Sequence, residues 1–287
     1  MQANGPVRAR WHDGRWHFQH GPIDLVIGLD GDRNEVERAI DDCWLLFADV
    51  LTRLVDELAS LRSAWTPALR LHGPVAARMG HACAPFSRDC GLFITPMAAV
   101  AGAVADHLIA PLRRPGIERA YINNGGDIAL HLTPGRSFDV GVVANAYMPA
   151  LDGALRIDAD APVRGIATSG WRGRSFSLGI ADSVTVLAVD AAAADAAATI
   201  IANHVDIAHP SIRRAPADSL RDDTDLGSRL VTVDVPALPL DAVEIALDRG
   251  LVFAQHCHER GLIHAALLAL QGRTRMLNPH IAEVAPT

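Results

Sequence analysis

The sequence predicts an α+β fold in which long helices pack on one face of an antiparallel sheet. Three observations carry that expectation. Apolar residues recur at helical spacing from Asn34 to about Arg62, a second helix has clear boundary signals between Thr95 and Pro115, and short strand-like runs follow one another from Arg119 to Val189. Strands spaced that closely favour antiparallel pairing.

Taken in chain order, Arg8 to His12 and Arg15 to Gln19 alternate around Asp13-Gly14, a dipeptide suited to a primed hairpin turn, and Ile23 to Ile27 reads as the next strand. The first helix follows, with Val36, Ile40, Leu45, Val50, Leu54, Leu58 and Leu61 as its apolar face. Residues Pro67 to Phe86 carry no regular pattern and read as irregular chain. Thr95 is a suitable N-cap and Pro96 fits the first helical position, so the apolar run from Met97 predicts a helix to about Arg113, stopped by Pro115-Gly116. Strands are expected at Arg119 to Asn123, Asp127 to Leu132, Phe138 to Val143, Ala154 to Ile157, Arg164 to Thr168 and Ser183 to Val189. Asp190 then caps an alanine-rich helix to about His204, and a polar linker from Pro210 to Arg229 leads to a strand at Leu230 to Val235. The last region, Asp241 to Leu270, reads as helical with interruptions at Gly250 and Gly261. With 287 residues, 49% of them hydrophobic, the chain can bury a large core, and one domain over residues 1–287 accommodates every element.

Composition removes several chemistries. All 26 basic residues are arginine. Without a lysine amine there is no Schiff-base aldolase, no pyridoxal-phosphate enzyme, no Gly-Lys-Ser/Thr phosphate loop and no protein-kinase site. A formal charge of -7 argues against a nucleic-acid partner, which normally meets a basic face. The longest apolar stretches, Ala98 to Ala110 and Ala188 to Ala202, fall short of the roughly 20 residues a membrane span requires, so no membrane partner is expected. The polar, Arg- and His-rich start, Met1 to Arg15, is unlike a secretory signal or lipoprotein leader, and the expected location is the cytoplasm. Cys43, Cys83, Cys90 and Cys257 lack CxxC spacing and read as buried thiols.

Three segments stand apart from a generic domain. In Tyr121 to Ile128, Gly125-Gly126 permits positive φ and brings backbone N–H groups near an anion, while Asn124 and Asp127 offer polar contacts to a ribose or base; a plain hairpin turn explains the same pattern. In Arg164 to Ser183, the Thr168-Ser169-Gly170 turn with Arg172 and Arg174 can face a phosphate or form a solvated loop. In Asp190 to Asn203, Asp195, Thr199 and Asn203 lie four residues apart on one helix face. Asp and Thr supply the hard oxygens that Mg²⁺ takes, although one acid on a helix is also ordinary structure. His256, Cys257, His258 and His264 contain metal-ligand types, but residues 256 and 258 point to different faces of a helix, so they are read as structural or surface groups.

The order of these motifs resembles the ApbE superfamily, best known for FAD:protein FMN transferases. The stretches TPMAAVAGAVAD, GIATSGWRGRSFSLGIADSVTVLA and ADAAATIIAN are similar to its shorter cytoplasmic, uncharacterised branch, with the motif core at about residues 79–205. The resemblance implies a tunnelling-fold-related α+β architecture. It assigns Asp195 and Thr199 to Mg²⁺ and catalysis, and Gly125, Gly126, Asp127, Thr168, Ser169 and Gly170 to binding FAD or a related flavin or pterin, with Asn124 beside them as the polar contact read from the residues themselves. The implied partner is a small-molecule cofactor, and a homo-oligomer is compatible with the sequence. The transferases carry Ala-Lys-Gly-Tyr where this chain has Met97-Ala98-Ala99-Val100, and a His-x-x-Asp-Pro-x-Thr-Gly segment that is absent before Ser183. Those departures leave three readings open: flavin or phosphoryl transfer, a non-catalytic flavin or nucleotide-binding module, and an accessory role in pterin-dependent one-carbon metabolism.

Overall fold

The computed structural model describes residues 5–142, 153–278 and 284–285. The first half contains β1 (Val7–Arg10), β2 (Trp16–His20), β3 (Ile23–Gly31), α1 (Arg33–Asp56), α2 (Leu58–Leu61), α3 (Pro74–Cys90), α4 (Val100–Leu108), β4 (Ile117–Asn124), β5 (Asp127–Leu132) and β6 (Ser137–Val142). The second contains β7 (Gly153–Asp158), β8 (Gly165–Ser169), β9 (Ser183–Ala188), α5 (Ala191–His204), β10 (Arg213–Pro216), α6 (Ala217–Leu220), β11 (Leu230–Asp234), α7 (Leu240–Glu259), β12 (Ala265–Leu270), β13 (Arg273–Leu277) and β14 (Val284–Ala285). Every pairing with a defined register is antiparallel, as the spacing of the strands predicts.

Two compact units divide the chain. The first comprises Met1–Ser137, Asp158–Ala167 and Val189–Asp195. Its strands pair in the order β1-β2-β3-β4-β5-β8, and α1 and α4 pack on them. Asp32 starts α1 by accepting the Asn34 and Glu35 N–H groups at 2.9 and 3.2 Å. The helix buries Ala39, Ile40, Cys43, Phe47, Val50 and Leu54. Leu45, expected on this face, is instead 71% exposed, and Cys43 and Phe47 take its place. Phe18 on β2 meets Trp44 edge-on and Phe47 at an angle, with centroids 5.1 and 5.4 Å apart. Each such fully buried large apolar side chain contributes roughly 1.5–3 kcal/mol.

The second unit comprises Phe138–Ile157, Thr168–Ala188 and Ala196–Thr287. Its strands β9, β12 and β13 form one ladder covered by α7, and β10 with β11 and β14 with β7 form smaller ones. Inside α7, Gly250 lies where a Cβ would strike the Val205 and Leu268 side chains, so the glycine admits close packing without breaking the helix.

Five local expectations are corrected. The β1–β2 connection is longer than a two-residue primed turn, because Trp11 and Arg15 close it through Trp11 N–H to Arg15 O at 2.7 Å. The irregular reading of Pro67 to Phe86 gives way to α3, which starts with Pro74 at its first turn, tolerates Pro85 inside, and stops at Gly91 with φ of 66°. The single helix from Met97 to Arg113 divides into 3-10 turns at Pro96–Ala99 and Ala110–Leu112 flanking α4, and Thr95 makes no side-chain cap. The linker from Pro210 to Arg229 contains β10 and α6. Finally, α7 runs unbroken through Gly250 to Glu259, and Ala265 to Leu270 is a strand, its six apolar residues buried in a ladder. Of the strand expected at Phe138 to Val143, Val143 lies outside the described residues.

Candidate functional site

The site in the first unit begins at the β4–β5 hairpin. Asn124 pairs directly with Asp127, leaving Gly125 and Gly126 as a two-residue loop with φ of 66° and 115°. Both values suit glycine, so the hairpin reading of this motif is correct. The turn also fixes the polar groups beside it. Asn123 accepts the Gly126 N–H through Oδ1 at 2.8 Å, and Asn124, only 4% exposed, donates from Nδ2 to the Ala101 carbonyl at 3.1 Å.

Ala101 belongs to the first turn of α4, where Asp195 also arrives. The Asp195 carboxylate accepts the Gly102 N–H through Oδ2 at 3.0 Å, with a further hydrogen bond from the Ala101 N–H. Asp195 thus supplies the cap that Ala99, the residue preceding α4, cannot. Burial raises the Asp195 carboxyl well above the ordinary carboxylate range, the negative charge of Asp127 raises it further, and the two N–H groups partly offset both. Asp127 and Asp195 therefore act on each other electrostatically.

The start of α5 is held from the other side. Asp106 on α4, 4% exposed, accepts the Ala191 N–H at 3.1 Å and the Ala192 N–H at 2.8 Å, while Asp190 accepts the Ala193 N–H at 2.8 Å. Burial and the neighbouring Asp190 raise Asp106 to about 6, against the pull of its two N–H donors. Two glycines make this approach sterically feasible. A Cβ on Gly102 would run into the Ala191 carbonyl, and one on Gly165 into the Asp190 carbonyl. Thr199 is half-buried one turn beyond Asp195 on α5.

In the second unit, Thr168 shares a hydroxyl hydrogen bond of 2.9 Å with Thr185, Ser169 is half-buried, and Gly170 is buried against the Asp182 and Ala181 carbonyls. Asn203 is engaged by the neighbouring loop: its Oδ1 accepts the Leu178 N–H at 2.9 Å and the Ser177 hydroxyl at 3.2 Å. On α7, Cys257 is 1% exposed and His258 bonds the Ile263 carbonyl at 3.1 Å, while His256 is exposed, in line with a structural reading of that cluster. Among the described residues no group of three or more His, Cys, Asp or Glu side chains is arranged to hold a metal ion. No helix among them is long and apolar enough to cross a membrane.

Two participants escaped sequence reading. Asp106 is one acid in an apolar helix, and Asp182 is one acid before a strand; only tertiary contacts reveal what either holds.

This antiparallel architecture is that of the ApbE flavinyl transferases. The apo crystal structure of the Pseudomonas stutzeri flavinyl transferase ApbE matches with a TM-score of 0.50 and 12% identity, covering 100% of this chain and 99% of that one. The family model described as AbpE bacteria matches residues 8–276, and the chain belongs to that family. It is also similar to a UPF0280 protein of Methanothrix thermoacetophila, 38% identical over 133 residues, which are 46% of this chain and 52% of that protein. The UPF0280 protein MK0206 of Methanopyrus kandleri is 37% identical over 155 residues, 53% of this chain and 59% of the relative. The chain thus spans about half the length of the curated relatives it matches.

Proposed function

We propose that this protein binds a flavin- or pterin-like nucleotide together with Mg²⁺. The observation that carries the reading is the convergence of Asn124 and Asp195 on the first turn of α4, with Asp195 destabilised as an anion by burial and by the charge of Asp127. A divalent cation held by these carboxylates would offset both penalties. The donor set fits Mg²⁺, since Asp127 and Asp195 offer carboxylate oxygens and Thr199 a hydroxyl, and the ion keeps water or phosphate oxygens in its other positions. When bound, Mg²⁺ supplies charge compensation to a diphosphate and its leaving group. Asn124 holds the hairpin against α4, and the Gly125–Gly126 loop exposes backbone near the same place. Family membership and the motif order support assigning Thr168, Ser169 and Gly170 to nucleotide binding as well.

Flavin or phosphoryl transfer is the catalytic form of this reading. A non-catalytic binding module is the second, favoured by a specific observation: at Met97–Val100 there is no lysine, Ala99 is buried, and the Asp195 carboxylate is engaged as a helix cap. Incubation of the protein with FAD, Mg²⁺ and a threonine-containing peptide, followed by mass spectrometry, separates the two. A flavinyl adduct or released AMP establishes transfer. Saturable binding of FAD or a pterin without either product establishes the module, and no binding of any of these ligands removes the proposal. Asp195→Asn should abolish the Mg²⁺-dependent part of the affinity, and an unchanged affinity would return Asp195 to a purely structural role.

A further inference from the structure

The Thr168-Ser169-Gly170 turn does not end the ordered part of its loop. Trp171 donates its backbone N–H to the Ala181 carbonyl at 3.0 Å, and Gly173 closes a turn on the Gly170 carbonyl at 3.1 Å. A single carboxylate then gathers the side chains that follow. Asp182 Oδ1 accepts the Trp171 indole N–H at 3.3 Å and the Arg172 Nε–H at 3.1 Å, while Oδ2 accepts the Gln271 N–H at 2.6 Å. Gln271 lies at φ of 46° in the β12–β13 turn, and its side chain is itself tied to the Leu238 N–H and the Pro236 carbonyl at 2.9 and 2.8 Å. Asp182 therefore anchors the loop to a rigid turn of the sheet.

Arg172 is the member of this group that reaches solvent. Its guanidinium lies 4.3 Å from the Trp171 ring centroid, and its side chain is 33% exposed against 15% for Asp182. Its place over the indole and the bond through Nε restrict the guanidinium, which reduces the entropy lost when it meets a planar or tetrahedral anion. An arginine prepared in this way, next to a turn rich in hydroxyls and backbone N–H groups, suits phosphate recognition better than a mobile surface arginine does. It also matters that the chain has no lysine, so every cationic contact to a phosphate must come from arginine, histidine or a metal.

We propose that Arg172, seated over the Trp171 ring and held by Asp182, is the phosphate-recognising arm of the Thr168–Gly170 loop. Asp182 is its positioning residue. The ligand class is a phosphate or diphosphate ester, so the inference deepens the nucleotide reading above and rests on it for the identity of the flavin or pterin. No covalent step is involved.

The test measures binding of FAD, FMN, riboflavin, neopterin and inorganic pyrophosphate to the full chain and to Arg172→Ala, Trp171→Phe and Asp182→Asn, with circular dichroism to confirm folding. Arg172 is exposed, so Arg172→Ala is the variant whose fold is least at risk. Removing a charge-assisted contact to phosphate should weaken FAD, FMN and pyrophosphate roughly 10- to 100-fold and leave riboflavin unchanged. A merely structural arginine would weaken riboflavin as much as FMN. Asp182→Asn and Trp171→Phe should give smaller losses of the same phosphate-dependent kind. If the wild type binds FAD and Arg172→Ala binds it equally well, the inference is overturned and the nucleotide reading stands. Arginine-dependent binding of pyrophosphate without any flavin or pterin binding supports the arm and rejects that reading. Failure of the wild type to bind any of the probes overturns both.

Discussion

Asp106 and Asp195 exchange helix caps: the carboxylate on α4 holds the first two N–H groups of α5, and the carboxylate on α5 holds the Gly102 N–H in the first turn of α4. Each acid thus faces the positive end of the other's helix, which partly offsets the cost of burying its negative charge. A group that the family resemblance assigns to metal binding therefore also has a structural duty. Any change in the charge of Asp195 acts on α4, and through Asp106 on the start of its own helix.

Asp106→Ala is expected to destabilise the protein by about 2–4 kcal/mol, because it removes a cap and leaves the Ala191 and Ala192 N–H groups without their partner in a buried place. Asp106→Asn keeps one carbonyl acceptor and should lose less than half as much. Urea unfolding of the three proteins checks this, and a loss below about 0.5 kcal/mol for the alanine variant would show that the contact adds little to stability.

Much of the sheet was legible from local pattern, and the reasons are physical. Strands β4, β5, β8 and β9 lie within one or two residues of the expected bounds, since each is a short apolar run ended by Gly, Asn, Asp or Ser. Helix α3 was not legible, because Gly80 and Pro85 interrupt its pattern and its stability comes from buried Met79, Cys83 and Phe86. The run Ala265 to Leu270 has neither helical nor alternating polarity, so only its ladder with β9 decides its form. At the site, the Gly125–Gly126 turn and the Asp190 cap were readable from neighbours in sequence. Asp106 and Asp182 act over 85 and 89 residues of chain, beyond the reach of any spacing rule.

The pH dependence of stability follows from the direction of the Asp106 shift. An Asp with an ordinary value of 3.8 that rises to about 6 on folding holds its proton more tightly in the native state. Between these values the native state carries more protons than the unfolded one, so this group's contribution is fully present below pH 3.8 and is lost as pH rises through about 6. Asp195, raised in the same direction, adds to the effect. The difference in unfolding free energy between wild type and Asp106→Asn, measured from pH 4 to 7, should therefore move against the wild type as pH rises. A difference that stays flat, or that moves in its favour, contradicts the shift.

Close backbone approach should make Gly102 on α4 and Gly165 on β8 intolerant of alanine. A Cβ at either position collides with backbone, at the Ala191 carbonyl for Gly102 and the Asp190 carbonyl for Gly165, and backbone cannot move aside as a side chain tip can. Expected losses are about 1–3 kcal/mol for each, by the overpacking rule. Gly5, with nothing near its Cβ direction, is the control and should change by less than about 0.5 kcal/mol. Thermal unfolding of the three alanine variants decides the matter, and equal melting temperatures would mean that the facing backbones separate without penalty.

Mg²⁺ and protons should compete for the same carboxylates. Burial and mutual repulsion favour the protonated form of Asp195, whereas a metal ion needs the carboxylate, so raising the pH should strengthen the ion's effect. A ligand present at 100 times its dissociation constant stabilises by about 2.7 kcal/mol, enough to be read as a shift in melting temperature. In wild type that shift should therefore grow between pH 5 and 8, and it should be lost in Asp195→Asn and reduced in Asp127→Asn. Asp195→Asn also retains an acceptor for the Gly102 N–H, so its fold is expected to survive for the comparison. A Mg²⁺-induced shift of the same size in Asp195→Asn as in wild type, at any pH in that range, would place the ion elsewhere on the protein.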